Sequence, residues 1–513
     1  MNETGFPEEN KPKEKKSILS RVWVASLVLL VAVFAFVSVP GLLAQGRSDS
    51  SASAAQAENR RYTAIIQQVF DFIQRNHIED VDSSVLFEGA MTGIFQSLGD
   101  PNSAFLPRSQ MRGMTDTTQG NFGGVGLLIH QSRPATPGGP VYVEVASPIE
   151  GTPGASSGIS AGDLIIAIND EPTETLSMDQ VLDRLRGPLG TDVNLMVRRG
   201  EKTEFPVTIT RARIEVPTAQ HAMIDGGIGY LRLLTFTPMT VERAKDAIAS
   251  FKENGYSAMI LDLRDNTGGR LDSAIDVSSL FLEGGTIVST RSRIPSENRS
   301  FGTSRESMVD DDIPIIVLIN RRSASASEIV AGALKDRHRA LLVGETTFGK
   351  GSVQQVFPLN NVNNSGFRLT IARYYTPSDA SIDGIGIPPD RLVRFPDFTD
   401  ADAEELTRLV ADNPIPDFVK NNPNADRARV DNFVRQLGND YRLDPVLLRR
   451  LVRNEQNRAR VAPVFDLDYD VQLQEAVNIL SGGSFENLLR SSKTIQELQD
   501  QMQNATEGVA DAA

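Results

Sequence analysis

No cysteine occurs among the 513 residues. Disulfides, thiolate catalysis and cysteine-based zinc sites are therefore excluded, and the absence suits an oxidising compartment where a stray thiol is a liability. Histidine is scarce as well, at four residues, so nucleophile schemes built on imidazole have little raw material. A basic surface is also missing. With 66 acidic against 52 basic residues the net charge is −14, which argues against a general nucleic-acid binder because phosphate neutralisation needs lysine and arginine. What is present is ordinary for a globular chain: 40% apolar and 23% charged residues, enough for a buried core. The length suits about three or four domains of roughly 100–200 residues.

One run is long and uncharged. Residues 22–44 carry no charge, and this is enough helix to cross the ~30 Å hydrocarbon core of a bilayer. Lys11, Lys13, Lys15, Lys16 and Arg21 precede it, so residues 1–21 are expected to stay cytoplasmic while the remainder crosses. A cleavable signal peptide is the competing reading. Leu42-Leu43-Ala44 is a poor small-x-small cleavage site, so the reading taken is an uncleaved, single-pass inner-membrane anchor, with a cleaved secreted form as the alternative. Residues 45–57, rich in serine and alanine, follow as a polar linker. The bulk of the chain is then expected on the extracytoplasmic, periplasmic side.

Residues 58–119 read as a helical region: Ile65, Ile66, Val69, Phe70 and Ile73, then Leu86, Ala90, Ile94 and Phe95, recur at helical spacing. In 120–213 the texture changes to short strands and turns, including 125–129, 141–145, 192–197 and 205–210, with one short helix at 178–185. This order resembles a PDZ domain, which captures a peptide C-terminus by adding it as a strand. Gly124-Val125-Gly126-Leu127 stands where the carboxylate-holding loop of such a domain is, since glycines let backbone amides converge on an anion. Gly-x-Gly alone also marks an ordinary turn; Ala161-Gly162-Asp163-Leu164-Ile165 strengthens the PDZ reading. Residues 214–398 alternate strands and helices, with a nearly continuous apolar run at 314–320 expected of a central strand buried on both faces. Residues 399–513 turn helical again, with candidates after Asp444-Pro445, at 471–480 and at 485–502, and are taken as an accessory packing or interaction extension.

Chemistry concentrates in two short segments. Ser325-x-x-Glu328 reads first as a helix-capping box. A helix start also gathers free amides and positive potential, where an acyl-transfer oxyanion would be stabilised, and the Ala326 amide is placed to serve. Gly344 to Lys350 matches the first seven positions of a phosphate-binding loop, but Gly351 stands where Ser or Thr should hold magnesium and a strand follows instead of a helix. Lys350 reads instead as either a solvated surface lysine or a general base kept neutral by desolvation. On an extended strand Gln354 would share its face and could aim the amine. Asp262-Leu263-Arg264-Asp265-Asn266-Thr267-Gly268-Gly269 is a strand running into a glycine turn, which could offer a second oxyanion amide or be a plain turn.

In this order, Asp100-Pro101-Asn102-Ser103, the PDZ segment, Asp262 to Gly269, Ser323 to Ile329, Gly349 to Gln354 and Gly384 to Asp390 resemble the carboxy-terminal processing proteases, also called tail-specific proteases. The match covers about 62–390. Thr267 stands in place of the more usual proline, and the helical extension after 398 exceeds the pattern. The resemblance implies an α/β protease core (a mixed sheet with crossover helices), a mostly β PDZ domain and helical N- and C-terminal regions. It implies Ser325 as nucleophile, Lys350 as base and Gln354 as its orienting residue. Ala326 with Gly268 or Gly269 would form the oxyanion hole, and Arg186 of the Arg-Gly turn would take part in gating. The implied partners are protein or peptide C-terminal tails, with the membrane through the anchor and a homo-oligomer as a further possibility; no cofactor is implied. A catalytically idle PDZ scaffold and an acyl-CoA-handling enzyme on a related core are the alternatives.

Overall fold

The computed structural model describes residues 50–132, 140–200, 202–303, 306–359, 364–395, 399–458 and 463–510. Residues 1–21 and the expected anchor at 22–44 lie outside the described residues. Among the described residues no helix is long and apolar enough to cross a membrane. The chain forms two compact units, 1–91 and 92–513.

In the first unit a 27-residue helix, Ser50–Asn76, begins inside the segment expected to be a linker. Helix replaces linker there because residues 50–57 are alanine, serine and glutamine without glycine or proline, and alanine is the best helix former. Along this helix Tyr62, Ile65, Ile66, Val69 and Phe72 are exposed.

The second unit is built on a six-stranded sheet in the order Ala219–Ile224, Ile228–Leu233, Ala258–Asp262, Ile315–Ile319, Leu341–Gly344, Arg391–Leu392. The first pair is antiparallel and the rest are parallel. Every residue of Ile315–Ile319 is buried, as a strand covered on both faces requires. One face carries Leu231, Leu261 and Val317 against Phe251, Ala274, Val330 and Leu334 of the crossover helices Thr240–Glu253, Leu271–Ser278 and Ala326–Asp336. The other face packs Ile260, Ile316, Leu318 and Val343 against Leu473, Ala476, Ile479 and Phe485. The C-terminal helix Val471–Ser481 is thus the second helical layer of the core.

A second sheet orders Ala104–Leu106, Ser365–Tyr375, Thr286–Ser292 and Arg299–Gly302, with Ser352–Leu359 also paired to Ser365–Tyr375. The PDZ segment forms its own sheet, Leu127–Gln131, Val143–Pro148, Leu164–Ile168, Asp192–Arg199, Thr203–Thr210, over a core that includes Val145, Ile165, Val181 and Leu195. Its entry and exit strands, Asn121–Gly124 and Ala212–Glu215, pair with each other. The single strand expected at 125–129 is interrupted, because Gly126 sits at φ +79° with Thr152 Oγ1 where a Cβ would be. Four helices, Asp400–Asp412, Pro414–Asn421, Arg427–Asp440 and Pro445–Arg458, close around Leu409, Val430, Leu437 and Val452. The helix expected at 485–502 is two, Phe485–Ser491 and Ile495–Ala510, because Thr494 and Glu497 exchange capping hydrogen bonds that restart it.

Candidate active site

Ser325 lies where the loop after the central strand turns into the helix Ala326–Asp336, at φ 58°, ψ −113°. A serine in that region is strained, and hydrogen bonds hold it. Its amide donates to Glu328 Oε2 at 2.8 Å, and its carbonyl accepts from the amides of Glu328 and Ile329 at 2.9 and 3.0 Å. Upstream, Ser323 Oγ donates to the Leu263 carbonyl at 2.8 Å, tying the loop to the neighbouring strand end. The pair read as a capping box is present, and the Ser325 hydroxyl also lies 3.0 Å from Tyr374 Oη.

The glycine turn comes against this serine. A Cβ on Gly268, at φ +107°, would sit 2.8 Å from Ser325 Cβ and 3.1 Å from the Ala326 nitrogen, so only glycine permits the approach. The Ala326 amide, first of its helix, is one of the donors a helix start leaves without an intrahelical acceptor. The Gly268 amide donates to Asn266 Oδ1 at 2.9 Å, and Gly269 is bridged to Phe236.

Lys350 is brought to the serine through its backbone. Its amide donates to Glu328 Oε2 at 2.9 Å, the oxygen that also receives the Ser325 amide. Glu328 Oε1 takes the Gly349 amide at 2.7 Å and Thr347 Oγ1 at 2.6 Å, and Phe348 N donates to the Ser323 carbonyl. One buried carboxylate therefore joins two segments far apart in sequence. Burial pushes the Glu328 pKa up, opposed by the hydrogen bonds it accepts from Thr347, Gly349, Ser325 and Lys350. Lys350 is held below the ordinary lysine value, first by burial and then by the Arg368 cation, against the opposing pull of Glu328 and Asp100.

Gln354 is nearby but otherwise engaged: its Nε2 donates to Ser352 Oγ at 2.7 Å and Thr370 Oγ1 at 3.4 Å. The simple alternation that put Lys350 and Gln354 on one face does not hold, because the strand begins at Ser352 and its register shifts between Val353 and Gln354.

Asp100 to Ser103 folds against the same strand pair. Asp100 accepts from Ser103 Oγ and from the Asn102 amide, Ser103 Oγ accepts from Thr370 N at 3.0 Å, and Arg368 Nε donates to the Asn102 carbonyl at 2.7 Å. Below the glycine turn, buried Asp262 takes both the Tyr230 hydroxyl at 2.6 Å and Arg264, whose other side is held by Asp470 Oδ2 at 2.6 Å. Asp470 also caps the helix Val471–Ser481.

In the PDZ domain, the Gly126 carbonyl accepts from Ile149 N at 2.9 Å and Thr152 Oγ1 at 3.1 Å, while the Val125 carbonyl accepts from Gly154 N at 2.7 Å. The strand beginning at Leu127 is at the edge of its sheet. Gly124 ends the entry strand. Arg186 lies with its guanidinium 4.5 Å from the centre of the Phe122 ring, and Gly187 N donates to the Gly123 carbonyl at 3.2 Å, so the Arg-Gly turn abuts the start of the glycine loop.

Sequence reasoning missed Tyr374, Arg368 and Thr347, and saw Glu328 only as a cap. Alternating strands give no sign of which hydroxyl or cation turns toward a distant loop; only the Ser-x-x-Glu spacing carried a usable signal.

Comparison with known proteins agrees in domain order. The model described as peptidase family S41 matches 227–393, that of the PDZ domain matches 144–199, and that of the activating protease CtpB N-terminal domain matches 34–109. A carboxy-terminal-processing protease of Bartonella bacilliformis is 40% identical over 336 residues, covering 64% of this chain and 74% of that protein. The carboxy-terminal processing protease CtpA of Bacillus subtilis is 30% identical over 372 residues, covering 72% and 77%. Among solved structures, a photosystem II D1 C-terminal processing protease is similar with a TM-score of 0.37 at 28% identity, over 66% of this chain and 94% of that one.

Proposed function

The chain belongs to the carboxy-terminal-processing serine proteases of peptidase family S41, and on that premise we propose that it cuts polypeptides near their C-termini by a Ser325–Lys350 mechanism. The observation that carries this reading is the single Glu328 oxygen accepting from both Ser325 and Lys350. The neutral Lys350 amine takes the Ser325 proton as Oγ bonds to the scissile carbonyl carbon. The oxyanion faces the Ala326 amide at the helix start, with the Gly268-Gly269 turn beside it. The ammonium so formed returns the proton to the departing amine, and water repeats the cycle on the acyl-serine to release a new carboxylate. Gln354 orients the amine once its side chain leaves Ser352.

The recognition step is assigned to the PDZ domain: a tail adds beside the edge strand Leu127–Gln131 and sets its carboxylate on the loop Gly124–Leu127. Arg186, stacked where that loop begins, is the proposed gating contact. The uncharged run 22–44 behind its lysines supports an inner-membrane anchor and an extracytoplasmic active site. The exposed stripe from Tyr62 to Phe72 supports a homo-oligomer.

The test is tail-peptide cleavage and fluorophosphonate labelling by the full chain and by Ser325→Ala. Loss of both in the variant is expected. Equal cleavage by the two would end the serine mechanism, and no cleavage by either, with tails still bound, would favour a scaffold.

A further inference from the structure

We propose that Tyr374 is a further catalytic residue of this reaction: its phenol donates a hydrogen bond to Ser325 Oγ and stays on that oxygen as charge builds there. The inference rests on the Ser325–Lys350 reading and adds to it a group that faces the reacting atom.

The geometry is direct. Tyr374 Oη and Ser325 Oγ are 3.0 Å apart, and the two residues are only 5% and 8% exposed. A phenol is a far stronger acid than an aliphatic alcohol, so the phenol is the natural donor of this pair. Serine then accepts with one lone pair and keeps its own proton for the amine. Burial pushes the Tyr374 pKa up to about 12, so the hydroxyl remains a donor at any pH where the enzyme would work.

Position supports the role. Tyr374 lies on the strand Ser365–Tyr375, which pairs with the strand following Lys350, and its amide donates to the Gly351 carbonyl at 2.8 Å. Donor and base thus ride on adjoining backbone, and Glu328 joins the Lys350 amide to that of Ser325. The other neighbour, Thr290 on Thr286–Ser292, fixes the strand from the far side.

In acylation the Oγ–H bond breaks, its proton goes to Lys350 Nζ, and the Oγ–carbon bond forms. Tyr374 transfers nothing; its hydrogen bond strengthens as the oxygen gains negative charge in a water-poor site. In deacylation the same oxygen is the leaving group, and the same O–H supports it until the lysine returns the proton.

The experiment follows fluorophosphonate labelling, kcat and KM across pH for the full chain and for Tyr374→Phe, Tyr375→Phe and Lys350→Ala, with thermal melting as a check on folding. Tyr375 is the control, because its ring lies beneath Arg291 with the guanidinium 3.9 Å from its centre. Tyr374→Phe is expected to lower labelling and kcat roughly 10²-fold, the scale of one lost donor on a reacting oxygen, with KM nearly unchanged; Tyr375→Phe should match the parent. Labelling by Tyr374→Phe at or above the parent rate overturns the inference, and an increase would identify the contact as a lock. Full labelling by Lys350→Ala would instead overturn the lysine reading on its own. Should Tyr374→Phe melt early, 3,5-difluorotyrosine at 374 keeps the shape with a more acidic phenol. An alkaline fall in kcat that the parent does not show over its working range must then appear, and an unchanged profile sinks the proposal.

Discussion

Ser325 and Lys350 donate their backbone amides to one and the same oxygen of Glu328, at 2.8 and 2.9 Å. The two segments are therefore tied together by main chain at one buried carboxyl group. Glu328 also takes Gly349 and Thr347, so replacing it strands several buried donors at about 1–3 kcal/mol each. Glu328→Ala is expected to lower stability by several kcal/mol in urea denaturation and to abolish turnover. Glu328→Gln, whose amide must turn one NH₂ toward these donors, should fold better yet lose activity by more than 10²-fold on the roughly 1.4 kcal/mol-per-decade scale.

The lowered Lys350 pKa has a testable second cause in Arg368. Removing that cation makes the ammonium easier to hold, so the amine becomes neutral only at higher pH. In Arg368→Gln the rise of kcat/KM with pH should shift upward relative to the parent, and Lys350→Ala should lose it altogether. An unshifted rise in Arg368→Gln would separate the pH dependence from this pair.

Asp470 reaches from the C-terminal region to Arg264, whose side chain is only 10% exposed. Breaking one side of a buried charge network typically costs about 3–5 kcal/mol; Arg264 keeps Asp262, so Asp470→Asn should fall at the lower end, near 3 kcal/mol in chemical denaturation. Ending the chain before Val471 would bare Ile316, Leu318 and Val343, and the product is expected to aggregate.

Gly126 cannot take a side chain without meeting Thr152 Oγ1 at 2.1 Å, and its φ is +79°. Gly126→Val should weaken tail-peptide binding measured by fluorescence polarisation at least tenfold. Fluorophosphonate labelling of Ser325, which depends on the other domain, should stay near the parent rate.

Much of this architecture was legible in the chain. The alternating and continuous apolar runs located the strands at 228–233, 258–262 and 315–319 and the helices at 240–253 and 178–185, because burial leaves its period in sequence. Short motifs singled out Ser325, Lys350 and the glycine turn, whose backbones the fold brings near Glu328 and Ser325. What stayed hidden depends on contacts without period. The 492–494 break needs Asp336 and Thr494 to be seen together, and the bulge before Gln354 defeats counting by twos. Tyr374 was illegible for the same reason: its partner is 49 residues away.

The paired strands that lead into and out of the PDZ domain put Asn121 opposite Glu215, a spacing of about 5 Å between facing Cα atoms. A module joined by such a narrow neck is removable: a short turn could bridge the stump, and a foreign tail reader could be grafted in its place. The cutting machinery would keep its chemistry while its choice of customers changed.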